Sequence, residues 1–197
     1  MFRGSWLKNV MIHLTAAFAV LVLLSHSVDA QLKPFKISGA GVAPNGLPFP
    51  GDPARPHWIA GNATQLGRHY GEGSVQTDAN NFMFHDDGRI TGEFGSGSPF
   101  VFTGANGDIL SCQYGRTAFG ASTPGTFEMV PTGDPGMYVA YFIAEFVPVS
   151  ADCTGKFAGV TGSWVMDAVT EPFLLGSNDP LYYSWEGNGT LNFKKGE

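Results

Sequence analysis

The sequence predicts an all-β protein: an antiparallel barrel of about eight strands, with one disulfide bond and an N-terminal signal peptide. Three observations lead to this fold class. The 197 residues include 27 glycines and 13 prolines, a composition that disfavours long helices. Short apolar or alternating runs are separated by turn signals such as Asp87-Gly88 and Asn106-Gly107. The low charged fraction, 14%, and the aromatic fraction, 13%, argue against a disordered chain.

Residues 1–30 have the pattern of a secretory signal peptide. Arg3 and Lys8 supply positive charge, an apolar run covers residues 14–24, and Val28-Asp29-Ala30 offers a cleavage site. The alternative is an uncleaved membrane anchor, but the apolar run would rise only about 16 Å as a helix, whereas a bilayer core is about 30 Å thick. We therefore predict a secreted or periplasmic protein that has no membrane contact after cleavage.

The remaining chain is acidic and has the length of a single domain. The full chain carries 17 acidic and 11 basic residues, and no basic cluster follows the signal peptide. Such a chain is a poor partner for nucleic acid or for an anionic membrane. Residues 31–56 are predicted to form an N-terminal strand and a Pro/Gly-rich loop, and residues 57–197 the barrel of the same domain. The sequence does not define an oligomeric state.

Two strand patterns are the clearest. Residues 99–114 contain two apolar runs around Asn106-Gly107, which predicts a hairpin with a type I′ turn. Residues 181–193 alternate strictly between apolar and polar side chains, and glycines take inward positions where a barrel strand bends. Residues 137–147 are apolar on both faces, which predicts a central strand. These strands could form a closed barrel or a two-layer sandwich, and the glycines within strands favour the barrel.

The two cysteines, Cys112 and Cys153, are predicted to form the disulfide bond. A cysteine pair in an oxidising compartment is more often bridged than free. Closing so long a loop would stabilise the fold by about 4 kcal/mol in the chain-entropy model. The alternative is a reactive thiol, which needs a reducing environment that export removes.

Three segments resemble the dirigent-like and allene-oxide-cyclase-like barrels, and in particular small exported bacterial members. They are the glycine-rich run at residues 153–162, the Ala-Asn-Gly-Asp hairpin at residues 105–110 and the closing strand at residues 185–193. The resemblance implies an eight-stranded barrel with an apolar interior, which in some relatives binds an oxylipin or a phenolic radical. It does not supply catalytic residues, because the matching segments contain none.

Chemical motifs are weak in this sequence. The histidines outside the signal peptide, His57, His69 and His85, lack metal-ligand spacing, so neither a metal site nor a cofactor is predicted. The candidates for acid–base catalysis are Glu145 and Tyr141, provided that they face a dry interior. The alternative places Glu145 at the barrel rim, in contact with water or arginine.

Four aromatic residues are the candidate ligand-binding residues, although they could equally be core residues: Trp185, Tyr183, Tyr141 and Trp164. Asn62 and Asn188 lie in glycosylation sequons whose use the sequence does not define. The functional hypothesis is a non-enzymatic binding module for a small apolar or aromatic ligand, or a structural envelope protein. The alternatives are a cyclase or isomerase that uses the barrel interior, and an outer-membrane barrel, which the short strands disfavour.

Overall fold

The strands of this chain pair in a continuous circuit. The computed structural model describes residues 31–115 and 125–194; the predicted signal peptide lies outside the described residues. These residues form one sheet of eleven strands, in which every pairing between strands is antiparallel. Almost no helix is present among them, apart from a single 3₁₀ turn at Gly155–Phe157. The prediction of an all-β, antiparallel fold is therefore confirmed.

The strands are numbered in chain order. Their bounds are β1 Gln31–Ala43, β2 Arg55–Ala63, β3 Gly67–Phe84, β4 Ile90–Gly95, β5 Phe100–Gly104, β6 Ile109–Tyr114, β7 Gly125–Pro131, β8 Met137–Pro148, β9 Thr161–Thr170, β10 Phe173–Leu174 and β11 Leu181–Phe193. The apolar run at residues 137–147 is a strand in the middle of the sheet, as its composition predicts. Within residues 31–56, β1 continues to Ala43 before the chain leaves the sheet.

We call the circuit of paired strands the strand ring. It runs β1, β2, β3, β5, β6, β8, β9, β11 and back to β1. The long strands β3 and β8 also pair over their other halves with β4 and β7, which pair with each other. The pairs β4–β7 and β5–β6 therefore both connect β3 to β8, at different positions along these two long strands.

Aromatic side chains occupy much of the ring interior. Phe146 stacks on Trp164 with ring centroids 4.2 Å apart, and Tyr114 stacks on the same phenylalanine at 4.9 Å. Phe102 contacts Trp164 at a centroid distance of 5.7 Å. In β11 the predicted alternation is confirmed, because Leu181, Trp185, Leu191 and Phe193 are buried. Such rings contribute large apolar areas to the core, with favourable ring–ring geometry.

The hairpin formed by β5 and β6 has a different turn from the predicted one. A type I′ turn needs positive φ at both central residues. Here Gly107 has φ of 86°, and no described residue other than glycine has a positive φ. Gly107 donates to the carbonyl of Gly104, and Gly104 donates to the carbonyl of Asp108. The loop therefore has three residues, with glycine alone in the left-handed conformation, and the type I′ prediction is wrong.

The predicted disulfide is absent from the structure, where Cys112 and Cys153 are both free thiols. Cys112 is paired with Phe100 in the sheet and lies on the inward face. The Cys153 thiol, in the segment after β8, lies within donating distance of two carbonyl oxygens, those of Ser111 (3.5 Å) and Val149 (3.4 Å). The sequence gives the number of cysteines but not the direction of their side chains, which is why the prediction is wrong.

Gly187 is a position where a larger residue would disturb the ring. A Cβ atom there would lie 2.5 Å from the indole of Trp164. We expect Gly187→Ala to lower the free energy of unfolding by about 1–3 kcal/mol, because the indole is confined by its stacked neighbours. The control is Gly97→Ala, where an added Cβ meets open space. Chemical denaturation measures both, and equal effects of the two substitutions would contradict the close approach.

The thiols provide a second test. We expect two thiols to react with a labelling reagent in denaturant without reductant. In the native protein labelling should be slow, because both side chains are buried and burial raises the pKa of each thiol. A count of zero thiols in denaturant would instead show that the disulfide predicted from sequence forms.

Candidate functional site

A cavity of about 60 Å³ lies inside the strand ring, and its wall is apolar. Its lining comes from β1, β2, β3, β4, β5, β6, β8, β9 and β11. Among the described residues, Leu47 is the one lining residue outside a strand, and it belongs to the loop between β1 and β2. Thr170, a polar lining residue, accepts a hydrogen bond from the backbone N–H of Ala140 at 2.8 Å. The cavity is therefore lined almost entirely by residues of the sheet.

A chain of hydrogen bonds crosses the wall beside this cavity. His57 is on β2, and its Nδ1 atom lies 2.8 Å from the hydroxyl of Tyr183 on β11. Its Nε2 atom lies 2.9 Å from the hydroxyl of Tyr114 on β6. Tyr114 in turn donates to the backbone carbonyl of Ser74 on β3. We call these four groups the His57 chain.

The carbonyl of Ser74 fixes the direction of every hydrogen bond in the His57 chain. A carbonyl oxygen only accepts, so the Tyr114 hydroxyl must give its proton to Ser74. The oxygen of Tyr114 then accepts from His57, which places the imidazole proton on Nε2. The bare Nδ1 atom accepts from the hydroxyl of Tyr183. One donor therefore meets one acceptor at each step, which a neutral imidazole permits.

Burial keeps the His57 chain uncharged near neutral pH. Desolvation lowers the pKa of His57 from 6.5 to about 4. It also raises the pKa of Tyr114 and of Tyr183 above their ordinary values. Phe100 packs edge-on against the imidazole, with centroids 5.0 Å apart. His57, Tyr114 and Tyr183 therefore add no charge to the cavity wall near neutral pH.

A second polar pair in the ring interior is not satisfied. The Nδ1 atom of His69 lies 3.1 Å from the carbonyl oxygen of Gly67, but its Nε2 atom is buried without a hydrogen-bond partner. The indole Nε1 atom of Trp185 is also buried without a partner. The two rings are in edge-on contact, with centroids 6.0 Å apart. Buried polar atoms are normally paired with protein or water, so this contact is an exception.

The candidate residues from the sequence separate into three groups. Tyr183 and Trp185 line the cavity, and Trp164 is fully buried in the aromatic stack beside it. Tyr141 is 51% exposed, on the outward face of β8. Glu145 lies on the same face of β8, because residues four apart in a strand point to one side. Tyr141 and Glu145 therefore lie on the outward face of β8, and not in the interior that the acid–base hypothesis requires.

Sequence reasoning missed His57, His69 and Tyr114 as interior residues. The period of two in β2 puts His57 on the same face as the buried Ile59, so the signal was present. Trp58, on the opposite face of β2, is 47% exposed. No sequence pattern shows that His57, Tyr114 and Tyr183 meet, because they lie on strands that are far apart in the sequence.

His85 lies beside the turn between β3 and β4, where its backbone N–H donates to the carbonyl of Arg89. Within residues 31–115 and 125–194, no group of three or more metal-ligating side chains is found. The same part of the chain contains no helix long and apolar enough to cross a bilayer.

The depressed pKa of His57 has a measurable consequence for stability. As pH falls from about 6.5 to 4, the unfolded chain binds a proton at this histidine before the folded protein does. We expect folding free energy of roughly 3 kcal/mol to be lost across that window, from the size of the pKa shift. His57→Gln should reduce the loss, because glutamine does not titrate. Denaturation at pH 7.5 and pH 4.5 measures it, and an identical loss in both proteins would contradict the buried, neutral histidine.

Comparisons with known proteins do not add to this geometry. No protein-family model, curated protein or solved structure matches the chain. The functional argument therefore depends on the cavity and the polar groups around it.

Proposed function

We propose that the strand ring is a closed β-barrel and that the protein binds a small, uncharged, apolar ligand in its interior. The observation that carries the proposal is the apolar wall of the cavity. The polar groups of the His57 chain are hydrogen-bonded to one another, so they do not require water or a charged ligand. Dry apolar cavities of this kind bind apolar molecules.

The volume restricts the ligand. At about 60 Å³ the cavity is smaller than the cavity of about 150 Å³ that holds benzene in a well-packed protein. A ligand of a few heavy atoms fits without rearrangement. A larger ligand requires movement of Leu47, whose loop is attached by the Thr77 hydroxyl to the carbonyl of Pro48 (2.6 Å) and by the Arg55–Asp52 ion pair (2.8 Å). This loop is the part of the wall that can move without separating strands.

Binding fits the site better than catalysis does. A histidine with a pKa of about 4 is a weak base near pH 7, and a buried tyrosine with a raised pKa is a weak acid. The cyclase or isomerase hypothesis needed Glu145 and Tyr141 in the interior, and both lie on the outward face of β8. The site thus has the features of a pocket but not those of a proton-transfer centre.

The proposal agrees with the other sequence predictions. Export would place the binding module outside the cytoplasm, and the resemblance to dirigent-like barrels implies an apolar interior that holds a ligand. Both stay predictions. A structural envelope protein would need no ligand, so the absence of binding would favour that alternative.

Xenon is a suitable probe, because it is small and apolar and enters dry cavities. We expect saturable shifts of the methyl resonances of Ile59, Val75 and Leu181, which line the cavity, when xenon is dissolved under pressure. Ala168→Leu should abolish these shifts by filling the cavity. Its control is Val169→Leu, at the next position, which does not line the cavity. No shifts in the unmodified protein, or unchanged shifts in Ala168→Leu, would contradict the proposal.

A further inference from the structure

We propose that the side chain of Leu47 is a gate between the cavity and a second apolar space, and that its displacement lets the pocket take a linear apolar ligand longer than the cavity. This inference rests on the proposed function, because the first of the two spaces is the cavity of the strand ring. It goes further by naming the residue that limits the length of the ligand and the space into which a longer ligand extends.

The second space is a small void between the loop that joins β1 to β2 and the strands β3, β7 and β10. Its volume is about 10 Å³, which is room for about one water molecule, so it does not hold a ligand by itself. The rings of Phe49 and Phe82 are in contact there, with centroids 6.1 Å apart. Most of its lining is apolar, including Leu47, Phe49, Phe82, Met129, Phe173 and Leu175.

Leu47 borders both spaces. Among the described residues, it is the one that lines the cavity and also lines the void. A side chain that borders two spaces separates them, so its displacement joins them into one longer space. The leucine side chain carries no polar group and is half-buried, so its rotation breaks no hydrogen bond of its own.

The backbone on both sides of Leu47 is held by hydrogen bonds. The N–H of Gly46 donates to the carbonyl of Ala43 at 3.2 Å. The carbonyl of Pro48 accepts from the hydroxyl of Thr77 at 2.6 Å, and the proline ring restricts the backbone further. Rotation of the Leu47 side chain is therefore the smallest movement that joins the two spaces, since it leaves these hydrogen bonds in place.

Aromatic contacts connect the walls of the two spaces. Phe82, in the wall of the void, contacts Phe127 with ring centroids 5.9 Å apart. Phe127 contacts Phe142, in the wall of the cavity, at 6.0 Å. Phe142 in turn meets Phe94 of the same wall edge-on, at 5.6 Å. This continuous apolar packing beside Leu47 favours a hydrocarbon chain over a ligand with polar groups along its length.

Xenon and n-hexane distinguish a gated pocket from a closed one, because xenon is compact and n-hexane is an extended chain. We expect xenon to shift the methyl resonances of Ile59 and Val75, which line the cavity. We expect n-hexane to shift the same resonances and also to give intermolecular NOEs to the methyl groups of Met129 and Leu175, which line the void. Contacts of n-hexane with the cavity methyl groups alone would overturn the gate.

Leu47→Ala tests the gate directly. We expect it to tighten n-hexane binding about tenfold, because the ligand no longer has to displace a half-buried leucine. Leu47→Val should give a smaller gain in the same direction, which covers the case in which Leu47→Ala does not fold. The control is Leu32→Ala, at a position that is 71% exposed and lines neither space, and it should leave the affinity unchanged.

The outcomes separate the gate from the pocket. An n-hexane affinity that is the same in the unmodified protein and in the folded Leu47 variants would overturn the gate. Xenon binding without any binding of n-hexane would also overturn it, although the pocket would still be supported. If neither xenon nor n-hexane binds, both proposals fail.

Discussion

The fold depends on a buried, apolar interior in which polar groups are stabilised by hydrogen bonds to one another within the wall. The His57 chain meets this condition completely, since each of its protons has one acceptor and the last acceptor is the Ser74 carbonyl. An unpaired polar atom in this interior lowers the stability of the fold. The packing of the aromatic rings would have to offset that loss of free energy. Neutral histidine and neutral tyrosines are therefore a consequence of the packing, and they leave an apolar cavity wall. The contact between His69 and Trp185 does not meet the condition, because His69 Nε2 and Trp185 Nε1 are both buried without a protein partner.

Much of the fold could be predicted from local patterns. The alternation in β11 identifies its buried face because side chains in a strand alternate with a period of two, and the apolar residues of β8 indicate a central strand. The turn of the β5–β6 hairpin was mispredicted because Asn-Gly is compatible with more than one loop length. The disulfide was mispredicted because cysteine number carries no information on side-chain direction, and Cys112 faces inward while Cys153 lies within donating distance of backbone carbonyls.

The site was less predictable than the fold. Tyr183 and Trp185 were found because they lie on one strongly alternating strand. His57 and Tyr114 were not, since their meeting depends on the strand order and register, which place β2, β6 and β11 around one interior. The positions of Tyr141 and Glu145 could not be predicted, because β8 is apolar on both faces and its pattern does not say which face is inward. The closure of the ring determines which face of β8 is inward. The interior then contains a pocket of about 60 Å³ with neutral walls.

The protonation state of His57 tests the central claim most directly. Nitrogen-detected NMR of the imidazole at pH 7 distinguishes its tautomers and its charge. The account predicts a neutral ring with the proton on Nε2 and a hydrogen bond accepted at Nδ1, as the Ser74 carbonyl requires. A protonated ring, or a proton on Nδ1 with Nε2 unprotonated, would contradict the neutral interior and the pocket proposed from it.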